Sequence, residues 1–288
     1  MDHQISRAQF LTGALLAAGS AALGGCAPSS EPAPTSTPGT PPRSATATTG
    51  SSTATPPPPE VYAQRVPQVF GTHMAGIVET VPTTPGTTTI ALTFDACGGP
   101  AGSEVDQGLV DTLREFGVPA TLFLNSRWIE ANAHATQMLI DDPLFLIQNH
   151  GTQHAPLSVT GQSAYGIAGT QDAAAAIAEI EDNRALLRSY GVQSDWFRSG
   201  TAHYDDVAVQ IAHERGIRIA GFSVNGDYGA TAPANQVAAA IRDAHDGAIV
   251  LAHMNHPASG TAAGVRTALE QMRDTGHRFV FIDGTTPS

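Results

Sequence analysis

The chain has 288 residues and a formal net charge of −12, with only 14% charged residues against 41% hydrophobic ones. This length suffices for a substantial buried core, in one large domain or two small ones. The acidic balance excludes the classes of protein that bind nucleic acid or anionic lipid headgroups through a basic surface. Two cysteines, Cys26 and Cys97, are too few for a disulfide framework.

Residues 1–26 have the pattern of an export signal. An apolar stretch at 11–23 is too short and too rich in alanine and glycine to remain in a bilayer. It ends in Leu23-Gly24-Gly25-Cys26, which resembles a bacterial lipobox and implies a lipid on Cys26. A plain secretory signal is the alternative. Because Ser6-Arg7-Ala8 resembles a degraded twin-arginine signal, both the Sec and the Tat export routes stay open. We expect a lipoprotein on the outer face of the cytoplasmic membrane, facing the cell wall.

Two segments separate this signal from the first strong strand pattern. Residues 27–59 are mainly serine, threonine, proline, alanine and glycine and contain ten of the twenty prolines. Such a segment cannot bury enough apolar surface to offset the entropy of ordering, so we expect a disordered tether. Residues 60–87 contain a small apolar cluster. This pattern predicts either an irregular collar or a hairpin packed on the domain that follows.

Residues 88–288 alternate between the patterns of strands and helices. Short apolar runs predict strands at 89–95, 118–125, 144–148, 195–198, 218–224, 248–253 and 278–282. Helical periodicity occurs at 104–116, 128–140, 170–190, 205–215, 235–245 and 264–275. Regular alternation is typical of parallel strands with crossover helices. We therefore predict an α/β fold, a distorted (β/α) barrel of about seven parallel strands, with an open sheet as the alternative.

Ionisable residues occur where the predicted strands end. They are Asp95, His150, His154, Arg198, Asp227 and His253. Open α/β sheets and barrels place their chemistry at the carboxyl ends of strands, so we expect these side chains to converge. Each also has a simple structural interpretation, as a turn cap, a rim ion pair or a core histidine. Two imidazoles four residues apart on a loop can chelate a divalent cation, most commonly zinc.

In their order along the chain, these motifs resemble the polysaccharide deacetylases with a NodB-type homology domain. The resemblance covers about residues 88–283. It depends on Thr93-Phe94-Asp95, His150-x-x-x-His154, Phe197-Arg198, Asp227 and Leu251-x-His253. The resemblance implies a distorted (β/α) barrel that binds one divalent metal, usually zinc. It also implies hydrolysis of acetyl groups on N-acetylglucosamine polymers or acetylated xylan.

This sequence departs from the family pattern in its motifs. The family's first motif is Thr-Phe-Asp-Asp, in which the first Asp is the catalytic base and the second a metal ligand. Here Ala96 takes the second position. In the second motif Gly151 replaces the usual hydroxyl residue and Ala155 the proline. In the fourth motif Tyr228 stands where a tryptophan is common. One protein ligand of the usual Asp-His-His set is therefore missing.

The resemblance and the chemistry together assign roles to the candidate residues. His150 and His154 supply two metal ligands, and Asp95 either completes the metal site or acts as general base. His253 suits the general acid for the leaving group. Arg198 would position Asp95 or a substrate oxygen, and Asp227 would hold Arg198 or His253. A backbone amide near Cys97 or Gly98 could stabilise an oxyanion.

The missing metal ligand has one further candidate. Alternation along a strand places Cys97 on the same side as Asp95, so its thiol is a third ligand if the strand extends that far. A buried, inert thiol is the alternative.

These observations predict a hydrolase of carbon–nitrogen (non-peptide) or ester bonds that deacetylates an extracellular or cell-wall glycan. Its expected partners are an acetylated polysaccharide and, through Cys26, the membrane, with no nucleic acid. We expect a monomer. One alternative is a tethered glycan-binding protein that has lost turnover. Another is a hydrolase of a different amide or ester with a rearranged metal site.

Overall fold

We describe a computed structural model of the chain that covers residues 55–287. The predicted signal at 1–26 and the part of the predicted tether at 27–54 lie outside the described residues. Seven α-helices occur within 55–287: α1 Gln107–Phe116, α2 Ser126–Ala131, α3 Ala133–Ile140, α4 Ala173–Ser189, α5 Asp206–Glu214, α6 Ala234–Arg242 and α7 Thr261–Met272. Across these same residues, no helix combines the length and the apolar character needed to cross a bilayer.

Parallel strands form the centre of the domain. The strands of the described region are β1 Phe70–Gly71, β2 Ile77–Val78, β3 Thr89–Ala96, β4 Ala120–Leu124, β5 Phe145–Asn149, β6 Trp196–Phe197, β7 Tyr204–Asp205, β8 Arg218–Ala220, β9 Val224–Asn225, β10 Ala248–His253 and β11 Arg278–Val280. Nine of them form one sheet in the order β2-β8-β6-β5-β4-β3-β10-β9, with β11 also pairing with β3. Every pairing in this sheet is parallel.

The sheet is curled, as the connection between β8 and β9 requires. These strands are six positions apart in the strand order. A flat sheet would separate them by about 29 Å at a spacing of about 4.8 Å per strand. Only residues 221–223 join the end of β8 to the start of β9, and so short a connection spans at most about 14 Å. The edges must therefore approach each other, which confirms the predicted distorted barrel and excludes the open sheet.

The central strand, β3, supplies both the core and the site. All eight of its residues are buried, as expected of a parallel strand covered on both faces. Ile90, Leu92, Phe94 and Ala96 pack in the main hydrophobic cluster with residues of the surrounding helices. Ala91 belongs instead to the cluster of Phe123, Trp196 and Val280. Because strand side chains alternate, Asp95 points to the same side as Ala91.

Two predicted elements are each divided in two. The predicted strand 218–224 is β8 and β9, which lie near opposite edges of the sheet. The predicted helix 128–140 is α2 and α3, separated at Asn132. The amide of Asn132 donates to the carbonyls of Ser103 and Trp128, both at 2.9 Å. Local periodicity does not detect either break, because the residues on both sides keep the same pattern.

Residues 60–87 pack on the rest of the domain and contribute two short strands. A short 3₁₀ helix at Pro59–Tyr62 buries Tyr62 beside α4 and α5. β1 pairs antiparallel with β7, and β2 joins the edge of the main sheet beside β8. β1 and β2 therefore have different partners.

Candidate active site

The sequence-predicted site residues all lie at or just beyond the carboxyl ends of sheet strands. Asp95 is the penultimate residue of β3, and His253 is the final residue of β10. His150 and Arg198 directly follow β5 and β6, and Asp227 follows β9 by two residues. In a parallel sheet these ends share one edge, so strands distant in sequence deliver their side chains to one place.

Asp95 is held by a fully buried arginine. Arg198 Nη1 donates to Asp95 Oδ1 at 2.9 Å and to the hydroxyl of Thr93 at 2.9 Å. Its Nη2 donates to the carbonyl of Gly221 at 3.0 Å. Arg198 therefore bonds to Asp95, which is the contact that one of its two predicted roles requires. The other carboxylate oxygen, Oδ2, lies 3.8 Å from His150 Nε2.

His253 is paired with Asp227. The imidazole Nδ1 lies 2.9 Å from Asp227 Oδ1, and because an ionised carboxylate only accepts, Nδ1 donates. Asp227 Oδ2 accepts from the backbone N–H of His253 at 2.7 Å and from the hydroxyl of Thr261 at 2.9 Å. Asp227 thus holds His253 and not Arg198, and it fixes the orientation of the ring with Nε2 unprotonated in the neutral form.

A cysteine and two histidines form a cluster beside Asp95. One ligand atom from each of Cys97, His150 and His154 lies within 4.8 Å of the others. The Cys97 sulfur is 3.7 Å from His150 Nε2. His150 Nδ1 donates to the carbonyl of Arg198 at 2.9 Å, so Nε2 of the neutral ring carries the lone pair. Asp95 lies outside this group of three, so its predicted role as a metal ligand stays a prediction.

The electrostatics of this cluster favour a cation. Burial opposes ionisation of Cys97, but hydrogen bonds from the surrounding imidazoles lower the pKa of its thiol well below the usual value. Burial likewise opposes protonation of His150, but Asp95 and Cys97 raise the pKa of this imidazole. For His253, Asp227 and Cys97 outweigh burial and raise the pKa well above its usual range. The Cys97 thiolate and the Asp95 carboxylate can therefore stabilise a positive charge in the cluster, either a proton or a metal ion.

One cavity of about 350 Å³ opens onto these groups, and Asp95, His154 and His253 are among its lining residues. His150 lies behind His154, with their rings in edge contact at 5.0 Å between centroids. The Nε2 atom of His154 is buried and has no hydrogen-bond partner among residues 55–287. Asp95, His154 and His253 thus share the wall of one cavity, and Arg198, His150 and Asp227 each contact one of these three residues.

The loop that carries both histidines is supported by a buried glutamate of α4. Glu179 Oε2 accepts from the backbone N–H of Gln153 at 2.9 Å, and Oε1 accepts from that of Ala155 at 3.2 Å. Gly151 has a φ of +80°, and a Cβ there would lie 2.4 Å from Glu179 Oε1. Glycine at this position therefore makes room for the carboxylate. Burial raises the pKa of Glu179, although the loop N–H groups oppose that shift.

Glu179 and its neighbour Asn183 were missed by reasoning from sequence. Asn183 bonds to Asn149 and to the carbonyl of Leu124, fixing the end of β5 from which His150 projects. Polar residues are ordinary in a helix, so neither carries a signal in the helical pattern. The one indication was Gly151, where the family pattern has a hydroxyl side chain. For the predicted oxyanion donor, the amide of Gly98 already donates to Gly102 O at 2.9 Å.

Residues 83–220 match the family model of the polysaccharide deacetylases. The matched segment contains Asp95, both loop histidines and Arg198 of the polysaccharide deacetylase pattern. It ends before Asp227 and His253; in the structure His253 lines the same cavity as Asp95, and Asp227 bonds to His253. No curated protein sequence is significantly similar to the chain.

Solved structures of carbohydrate esterases share the fold. Bacillus subtilis PdaA, a family 4 carbohydrate esterase, aligns with a TM-score of 0.57 and 20% identity over 72% of this chain and 83% of that chain. A peptidoglycan N-acetylglucosamine deacetylase aligns with a TM-score of 0.58 and 20% identity over 71% of this chain and 90% of that chain. A family 4 pseudoenzyme from Bacillus anthracis aligns with a TM-score of 0.55 and 19% identity over 70% of this chain and 67% of that chain. The chain thus spans about two thirds of that pseudoenzyme's length.

At these identities the structural matches establish the fold alone. The family model adds that the segment 83–220 is similar in sequence to the polysaccharide deacetylases.

Proposed function

We propose that the protein is a metal-dependent hydrolase that removes acetyl groups from an extracellular or cell-wall glycan, such as peptidoglycan or chito-oligosaccharide. The observation that carries the proposal is the grouping around one cavity of a fixed carboxylate, a carboxylate-held imidazole and a cluster of metal-binding donors. The export pattern of residues 1–26 supports a location outside the cell, with a lipid on Cys26 as membrane anchor.

The donor set fits a divalent metal. A thiolate with two imidazoles suits zinc, which commonly has three protein ligands in catalytic sites. Within residues 55–287, His154 Nε2 is buried without a hydrogen-bond partner, and the lone pair on His150 Nε2 faces the Cys97 sulfur at 3.7 Å. We therefore infer that Cys97, His150 and His154 hold the metal. When bound, the metal supplies Lewis-acid polarisation of the acetyl carbonyl.

The remaining residues supply proton transfer and positioning. Asp95, fixed through Oδ1 by Arg198, accepts a proton from the attacking water. His253, oriented by Asp227, donates a proton to the leaving amine or alcohol as the bond to the acetyl carbon breaks. Water thus adds to the carbonyl carbon, acetate is released, and the glycan leaves with the proton from His253. Roughly 10²- to 10⁴-fold of rate enhancement is typical of each such proton transfer.

The direct test is release of acetate from acetylated chito-oligosaccharide or peptidoglycan. We expect release by the purified protein, loss of release on chelation, and recovery when zinc is added. A protein that contains no metal after incubation with zinc would contradict the metal-dependent mechanism. Parallel assays on N-acetylated and O-acetylated glycans identify the scissile bond, and activity only on an unrelated amide or ester would favour a different hydrolase.

A binding protein without turnover is the second candidate. Ala96 removes the family's usual metal-ligand carboxylate, and a matched fold is described as a family 4 pseudoenzyme. A variant of that pseudoenzyme is described as having restored enzymatic activity. Glycan binding that persists in His154→Ala, together with no acetate release by the wild-type protein, would favour this candidate.

A further inference from the structure

Two tyrosines are exposed in the wall of the cavity that contains the reacting groups. Tyr165 is 82% exposed and Tyr228 is 62% exposed, and both line this cavity beside Asp95 and His253. Tyr62 and Tyr204, in contrast, are buried in the domain. Large aromatic side chains left open to solvent at a cavity indicate a ligand-binding surface.

The backbone at both tyrosines is unfavourable for a bulky residue. Tyr165 has a φ of +51° and is followed by Gly166 at +76°. The two form the tip of a hairpin closed by reciprocal hydrogen bonds between Ala164 and Ile167. Turns of this kind favour Asn-Gly. Tyr228 has a φ of +53° and is also followed by a glycine with positive φ. Folding alone therefore does not explain tyrosine at either position.

Backbone strain is concentrated around this cavity. Within residues 55–287, five non-glycine residues have positive φ, and four of them line the cavity: His154, Tyr165, Ala202 and Tyr228. Strained residues that persist in folded proteins cluster at ligand-binding and catalytic sites. The positive φ angles of the two tyrosines are therefore part of a group of strained residues that lines the cavity.

The topology brings the tyrosines from opposite sides of the catalytic strand. Tyr165 lies in the connection from β5 to α4, and Tyr228 in the connection from β9 to α6. In the strand order, β5 and β9 lie on opposite sides of β3, and each is separated from β3 by one strand. Since β3 carries Asp95, the two aromatic rings originate on either flank of the reacting centre.

The ring of Tyr165 is held in place from one side. It makes an edge contact with His203, at 5.2 Å between centroids and 89° between planes. His203 is itself fixed by an Nδ1 contact of 2.7 Å with the carbonyl of Thr201 and packs against Phe70. The ring is therefore supported while most of its surface remains available.

We propose that Tyr165, at the hairpin tip, is a stacking platform for the sugar ring on one side of the acetylated residue, with Tyr228 as the platform on the other side. This inference rests on the proposed function and specifies residues that contact the sugars next to the acetylated one. The C–H face of a pyranose packs on an aromatic face while its hydroxyls stay hydrated. Two platforms flanking Asp95 place the acetyl group of an internal residue at the reacting groups.

The test compares binding of N-acetylglucosamine and its tetrasaccharide by calorimetry, using the full chain. In Tyr165→Asn, we expect tetrasaccharide affinity to fall roughly 2- to 10-fold, as loss of one aromatic contact implies. Monosaccharide affinity should not change. Asparagine suits a positive φ, so the unfolding temperature should hold or rise. Tyr165→Phe keeps the ring and should bind normally. Met138→Ala, at an exposed position on α3, is the control.

The outcomes separate this inference from the proposed function. Unchanged tetrasaccharide affinity in Tyr165→Asn overturns the platform, whether or not acetate is released. Weakened binding in that variant without acetate release by the wild-type chain supports the platform and refutes the hydrolase. Equal loss in Tyr165→Phe and Tyr165→Asn overturns stacking, because the ring is then irrelevant. Failure of the wild-type chain to bind the tetrasaccharide also overturns the platform.

Discussion

The Asp227–His253 pair and the cluster of Cys97, His150 and His154 differ in how many of their polar atoms have hydrogen-bond partners within the protein. On the His253 side, Asp227 bonds to the imidazole, to a backbone N–H and to the hydroxyl of Thr261. On the other side, His154 Nε2 is buried without a partner, and the Cys97 sulfur is 3.7 Å from His150 Nε2. Buried polar atoms are usually hydrogen-bonded. The first group is complete as protein structure, whereas the second is organised for an added cation.

This contrast divides the chemistry between the two groups. A ring fixed by a carboxylate can exchange a proton at its other nitrogen without changing its position. A cluster of unsatisfied nitrogen and sulfur donors instead gains from a metal ion. Substitutions in the cluster should therefore abolish metal binding. Substitutions in the Asp227–His253 pair should leave the metal bound and abolish turnover.

The largest expected effect is that of His150→Ala. The hydrogen bond from Nδ1 to Arg198 O directs His150 Nε2 into the cluster, so its loss removes a ligand that no neighbour replaces. Bound zinc should fall from about one per chain to near zero, measured by elemental analysis after dialysis. His245→Ala, at an exposed histidine preceding the amino end of β10, is the matched control and should retain zinc. Full zinc content in His150→Ala would contradict the site.

The identity of the third donor can be checked in the same preparations. In cobalt-loaded protein, a thiolate ligand produces a sulfur-to-metal charge-transfer absorption. This absorption should be present in the wild type and absent in Cys97→Ser. If the wild-type protein lacks it, the thiol is not a ligand and Asp95 becomes the third donor.

His253→Ala should have the next largest effect. The variant should keep its zinc, because His253 is not one of the three mutually close donors, which are Cys97, His150 and His154. Its turnover should fall about 10²- to 10⁴-fold through loss of the proton donor. Acetate release and metal content measured on one sample separate these two quantities. An unchanged rate would remove His253 from the mechanism, and loss of zinc would remove the distinction between the two groups.

Glu179→Gln should weaken metal binding by about 10- to 100-fold, as is typical for residues that position metal ligands. An amide cannot accept from the N–H groups of both Gln153 and Ala155, so the histidine loop loses one bond. Zinc titration against a competing chelator measures the change. Glu181→Gln, on the same helix and paired with Arg184 at the surface, is the control. Unfolding temperatures of the metal-free proteins show whether stability is affected. Zinc affinity equal to the wild type would confine Glu179 to a structural role.

Most elements of the fold could be predicted from local patterns. The apolar run at 89–95 is a short-range signal, and β3 forms where this run predicts a strand. The break between β8 and β9 could not be predicted. It depends on the curl of the whole sheet, since only a curled sheet lets residues 221–223 connect distant strands.

The site divides in a similar way. That ionisable residues gather at the carboxyl ends of strands follows from the parallel α/β pattern, and the structure places Asp95, His154 and His253 in the wall of one cavity. The support from Glu179 was not visible, because a glutamate on a helix has the same local pattern whether it faces solvent or a buried loop. The exposure of Tyr165 likewise depends on a turn tip whose neighbours come from distant segments.

By itself the sequence determined the order of strands and helices and the residue types at the strand ends, because side-chain periodicity and strand direction are local properties. Only the tertiary structure decided which atoms face one another. It paired Asp227 with His253, paired Asp95 with Arg198, and placed the thiol of Cys97 rather than an Asp95 oxygen in the group with both loop histidines. These pairings depend on how far the sheet curls and on how the loops pack, and neither property is encoded in any one segment.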